Sequence, residues 1–119
     1  MNIKLTVDEK GNVNRGTQKT YFGNQYDNNI NKIVISFPKD RLYNLYFFYT
    51  DLSGKKKGFR IKETFNVTRE LTNESGIFDA YIVSSDETDA NKILKANHVF
   101  ITKAFKFEIR ECGVSASEV

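Results

Sequence analysis

The chain has 119 residues with a formal net charge of +3, a single cysteine and 39% apolar residues, among them ten Phe and six Tyr. That is enough apolar material for one core and too much for a disordered chain. One cysteine excludes an internal disulfide or a thiolate metal cluster within the chain, and so mild a charge does not by itself argue for nucleic acid.

The first strand is expected at the N-terminus, where Ile3, Leu5 and Val7 alternate with Lys4 and Thr6. "DEKGNVNRG" then reads as turn and loop, with Gly11 and Gly16 as breakers. A second turn-rich stretch, "YFGNQYDNN", precedes "NKIVISFP". There Ile33, Ile35 and Phe37 share one face, and Pro38 ends the strand because it cannot donate to a ladder.

"LYNLYFFYT" is apolar on both faces, with Tyr43, Leu45, Phe47 and Tyr49 against Leu42, Tyr46 and Phe48. Such a strand is central or covered twice. "TDLSGKKKG" follows as a hairpin turn, and "GFRIKETFNV" returns with Phe59 and Ile61 opposite Arg60 and Lys62. "GIFDAYIVSS" puts Phe78, Ala80 and Ile82 on one face. In "HVFITKAFKFEIRE", Val99, Ile101, Phe105, Phe107 and Ile109 keep register, and Lys103 interrupts them as at a bulge or an edge.

One short helix is expected near residues 86–96, with acids early, Lys92 and Lys95 late, and Asn97 as a stop. The pattern predicts an all-β protein: an antiparallel, Ig-like β-sandwich of about seven strands. A single domain over 1–111 and a short polar tail over 112–119 complete it. No segment is long and apolar enough to span a bilayer, and no secretory leader is visible. The expected place of synthesis is a cytoplasm, with release only by lysis or a leaderless route.

No residue set specifies catalysis, a metal or a cofactor. His98 is the only histidine and Cys112 follows the last strand, so both read as structural or surface groups. Asp86, Glu87 and Asp89 suit a helix start better than a carboxylate pair across a cleft, or a calcium loop. Two sequons, at Asn66 and Asn73, read as coincidence in an Asn-rich chain without a leader.

"SGKKKGFRI" lacks the spacing of a phosphate-binding loop, and after Lys57-Gly58-Phe59 it departs from an RNA-recognition strand. It reads as a hairpin with Lys55, Lys56 and Lys57 confined to the tip, where they form a contact for a partner protein. Two alternatives stand beside this. Tyr21, Tyr26, Tyr43 and Tyr46 would form the platform of a carbohydrate-binding module, and the lysine tip would suit a small nucleic-acid binder or inhibitor.

The order of elements resembles a known family. "GNQYDNNINKIVISFP", the aromatic strand "LYNLYFFYT" before a Gly/Lys turn, and "GIFDAYIVSS" followed by "HVFITKAFKFEI" are similar to the N-terminal immunoglobulin-like domain of phage baseplate upper proteins and related tail-fibre proteins of Gram-positive phages. The likeness spans roughly residues 20 to 110. The segment at 86–96 is longer than that family's hairpin turn, and the chain stops where the family continues into a coiled coil or receptor-binding region. The resemblance implies a free-standing, non-enzymatic virion protein, made in the host bacterial cytoplasm. It would contact other virion proteins, as a homo-oligomer or within a multi-subunit assembly.

Overall fold

The computed structural model describes residues 2–13, 20–89 and 91–111. Gly16, Cys112 and the 112–119 tail lie outside the described residues. The strands are β1 (Asn2–Thr6), β2 (Thr20–Asn24), β3 (Lys32–Ser36), β4 (Asn44–Thr50), β5 (Lys56–Ile61), β6 (Thr64–Asn66), β7 (Gly76–Ser85), β8 (Val99–Ile101) and β9 (Phe105–Arg110). One four-residue helix, α1 (Arg69–Thr72), joins β6 to β7. The fold is all-β.

A smaller sheet runs β1-β3-β6 and a larger one β2-β9-β7-β4-β5, with β8 also on β7. They close on one core. Leu5, Ile33 and Ile35 come from the smaller sheet, and Phe22, Phe47, Phe78 and Phe107 from the larger. Phe47 binds the layers together: its ring lies 5.8 Å from Phe65 of β6 and 5.5 to 6.2 Å from Phe59, Phe107, Phe105 and Phe22.

Three expectations are corrected. The sheets are mixed, because β1 pairs with β3 and β2 with β9 in parallel. The stretch expected as a turn, "YFGNQYDNN", opens inside a strand, β2, which crosses to the larger sheet between β1 and β3. The helix is α1; among the described residues of 86–96 only a 3₁₀ turn, at Ile93–Lys95, forms. Polar side chains in that segment hold the backbone in local turns, which compete with a helix. Glu87 Oε1 accepts from the Thr88 and Asp89 amides, and Asp89 Oδ1 from that of Asn91. The Asp86 amide donates to the His98 carbonyl and closes the loop.

The last run divides into β8 and β9. Thr102 is the hinge, donating its amide to Ile82 O and accepting the Ile82 amide on Oγ1, both at 2.9 Å. The interruption at Lys103 is therefore present. Ile101, however, is half-exposed rather than in register with Phe105, Phe107 and Ile109.

The two-faced strand sits centrally, between β5 and β7. Leu45, Phe47 and Tyr49 enter the main core, and Tyr46 enters a second cluster with Val83 and Ile93. The alternation fails before Asn44. Ser84, fully buried, accepts the Tyr43 amide and donates to the Arg41 carbonyl. That clamp turns Leu42 onto the main core and leaves Tyr43 41% exposed, the reverse of the expected faces.

Two turns are built alike. In 8–11 and 51–54 an aspartate leads into a glycine with φ +85°, the left-handed position that completes a three-residue loop. Asp8 accepts from Asn12 Nδ2 and from the Asn12 and Lys10 amides. Asp51 accepts from Ser53 Oγ and from the Lys55 and Ser53 amides. Those bonds, led by the Asn12 side chain and by the Ser53 hydroxyl respectively, hold both carboxyls below their ordinary range. A depressed folded-state pKa gives stability that is present above the unfolded value and lost as pH falls through the folded one. Tm is therefore expected to fall as pH drops below about 4. A chain with Asp8→Asn and Asp51→Asn should show a flatter acid limb in thermal melts, and an unchanged limb would refute this assignment.

Candidate functional site

A groove of about 680 Å³ opens where β5 leaves the larger sheet for β6 in the smaller one. The chain crosses there because Glu63 O takes the Ile35 amide at 2.7 Å, which pins the crossover to β3. Leu42, Leu45, Ile61 and Phe65 supply the apolar lining, of which Leu45 and Ile61 are buried. Tyr43, Asn44, Arg60, Lys62, Glu63 and Thr64 supply the polar lining. Arg60 is held by a 2.8 Å bond from Nη2 to Asn44 Oδ1, which leaves other guanidinium donors available. A groove of this size, with an apolar floor and polar walls, has room for a side chain of a partner or a small ligand.

A second depression of about 180 Å³ adjoins it, and Tyr43 lines both. Tyr43 stacks on His98 with ring centroids 5.3 Å apart and planes 14° apart. His98 is exposed, as expected of a surface group. The Arg41 guanidinium lies 4.9 Å from the Phe100 ring centroid. Ser84, through its clamp on 41–43, sets the place of both Arg41 and Tyr43.

No protein-family model matches the chain, and no curated protein is significantly similar to it.

β5 ends the larger sheet, and among the described residues no strand pairs on its outer side. Lys56 and Arg60 alternate along it with half-buried or buried Lys57, Phe59 and Ile61. Gly58 stands between the two cations because the Phe48 ring covers it: an added Cβ would meet Phe48 Cδ1 at 2.4 Å.

The lysines are not all at the tip. Only Lys55 belongs to the turn; Lys56 and Lys57 are the first residues of β5, opposite Thr50 and Tyr49. The three-residue loop at Gly54 closes the hairpin early and draws both into the ladder. Lys57 Nζ lies 3.6 Å from Asp51, and Lys56 Nζ lies 5.4 Å from the Tyr81 ring centroid. Lys55 and Lys56 remain exposed.

Nor do the four tyrosines assemble. Tyr46 is 5% exposed, with its hydroxyl bonded to Glu87 O, and is removed from any platform. Tyr21 lies on β2, at the opposite edge from β5, where Arg110 stacks on it at 4.3 Å. Tyr26, in the loop after β2, lies under Arg69 at 5.2 Å. Tyr43 alone borders the groove.

Sequence reasoning missed the groove because its walls come from two sheets. The signal within reach was Lys56, Arg60 and Lys62, all exposed at alternate positions of one strand and its continuation. Among the described residues, no group of three His, Cys, Asp or Glu side chains is placed to hold a metal, and no helix is long and apolar enough to cross a membrane.

Proposed function

We propose that the chain is a non-enzymatic structural component of a bacteriophage particle, in the tail or baseplate or decorating the capsid. It works by contact with other virion proteins, as a homo-oligomer or in a multi-subunit assembly. The observation that carries this reading is the open groove beside an unpaired sheet edge. An apolar floor offers burial, which supplies most of the energy of such a contact. Arg60 and Lys62 at the groove, with Lys55 and Lys56 at the other end of β5, set orientation and encounter rate. The order β9-β7-β4-β5, which follows strands G-F-C-C′ of a variable-type immunoglobulin sandwich, supports the same reading through the resemblance over residues 20 to 110.

The test is mass spectrometry of density-purified particles from the host that makes this protein. The chain should be found at a fixed ratio to the major particle proteins. Its absence from them would sink the assignment.

A second reading, contact with a host surface glycan, is favoured by one observation: the exposed Tyr43–His98 stack beside Arg60 and Asn44. Aromatic faces next to fixed hydrogen-bonding groups are what a sugar ring packs on. Retention on host cell-wall glycan, lost in Tyr43→Ala while the fold is kept, would move the assignment to this reading. Equal retention of both proteins would remove it.

A further inference from the structure

We propose that the outer edge of β5 is a strand-addition site for an extended acidic segment of a partner protein. Its carboxylates would face Lys56, Arg60 and Lys62, and one apolar side chain would enter the adjoining groove. The backbone carries the first part of the argument. The Asp51 amide donates to the Lys55 carbonyl, which fixes the phase of the β4–β5 ladder. Residues directly opposite then alternate between bonded and non-bonded pairs. Tyr49 with Lys57, Phe47 with Phe59 and Leu45 with Ile61 are the bonded pairs. Lys56, Gly58 and Arg60 therefore turn their amide N–H and carbonyl groups away from β4, toward the unpaired side. Such a row of alternating donors and acceptors matches another peptide backbone, and matches neither a phosphate chain nor a sugar.

Charge decides the occupant. The exposed side chains along this edge are Lys56, Arg60 and Lys62, about 13 Å and about 7 Å apart along an extended strand. A second copy pairing antiparallel about Gly58 would set Lys56 directly opposite Arg60, and like charges so placed repel. The edge thus refuses itself, the ordinary use of lysine on an edge strand. It accepts a strand with acids at every second residue. The groove at the Arg60 end, floored by Leu45 and Ile61, then takes an apolar side chain of the added strand.

The inference rests on the protein-contact reading above and names the chemistry of the contact. It is tested with a fluorescent peptide that alternates glutamate and valine and is as long as β5. Its controls are the same composition with the glutamates in one block, and single-stranded oligothymidylate. The alternating peptide should bind about tenfold more tightly than either control. On binding, the amides of Lys56, Gly58 and Arg60 should gain protection from hydrogen exchange in the unmodified protein. Arg60→Gln should weaken the peptide about tenfold through the lost charge-assisted bonds. Arg60→Pro, which also deletes an outward N–H without touching the β4 ladder, should weaken it further. Equal binding of the controls, no binding, unprotected amides, or equal affinities of the Pro and Gln variants would each overturn the proposal. If the peptide fails while the chain is found in particles, the edge fails and the particle role stands. If the peptide binds and particles lack the chain, the reverse holds.

Discussion

Replacing Phe47 with alanine is expected to cost about 3–5 kcal/mol, the largest loss from any single side chain in the fold. Phe47 is fully buried on the central strand, and its neighbours include Phe65 of the facing sheet. Alanine there would remove both the transferred area and the ring contacts that couple the layers, each aromatic pair contributing about 0.5–1.5 kcal/mol beyond area alone. The hole is ringed by residues on four other strands: Phe22, Phe59, Phe65, Phe105 and Phe107. No single backbone shift collapses it. A domain with about 5–15 kcal/mol of stability would lose about a fifth or more. In urea unfolding the midpoint should fall while the slope stays the same. Phe47→Leu, which keeps most of the volume, should cost much less. A loss under about 1 kcal/mol for alanine would contradict the account of the core.

Gly58→Val is the second large effect, and propensity alone gives it the wrong sign. Valine favours strands over glycine, by up to about 1 kcal/mol in a host sheet. The φ at Gly58 is not positive, so backbone strain is not the obstacle. The obstacle is Phe48, whose Cδ1 and Cε1 would lie 2.4 and 2.5 Å from the new Cβ. The ring is not free to step aside, because it stacks on Tyr81 at 5.2 Å and 17°. Overpacking costs about 1–3 kcal/mol, so the clash outweighs the gain and the variant is less stable. Combining Gly58→Val with Phe48→Ala should recover part of that loss, a coupling that a double-mutant cycle in denaturant reads directly. A Gly58→Val protein as stable as the parent would refute the role given to the ring.

The β character was legible because its signals are local. Ile3, Leu5 and Val7 alternate with Lys4 and Thr6, and a strand apolar on both faces has to be covered twice. The mixed pairing was not legible, since β2 against β9 joins segments nearly ninety residues apart and no alternation encodes direction. Leu42 and Tyr43 exchanged faces because Ser84, on another strand, holds the turn before them. Tyr46 looked available only because burial by Ile93 depends on how the 86–98 loop folds back. Charge misled in a similar way. Three consecutive lysines read as a tip, yet the tight loop at Gly54 draws two of them into β5. The cations that matter for the edge are spaced by two and four residues, and the groove beside them exists only once two sheets meet.

Lysine-directed cross-linking on purified particles tests the central claim most directly, since it asks at once whether the chain is there and which surface it uses. The account predicts cross-links from Lys55, Lys56 and Lys62 to one neighbouring protein, concentrated on an acidic extended segment of it. Cross-links from Lys4 and Lys32, on the smaller sheet, should be sparse. Cross-links spread evenly over all these lysines, or concentrated on the smaller sheet, would contradict it.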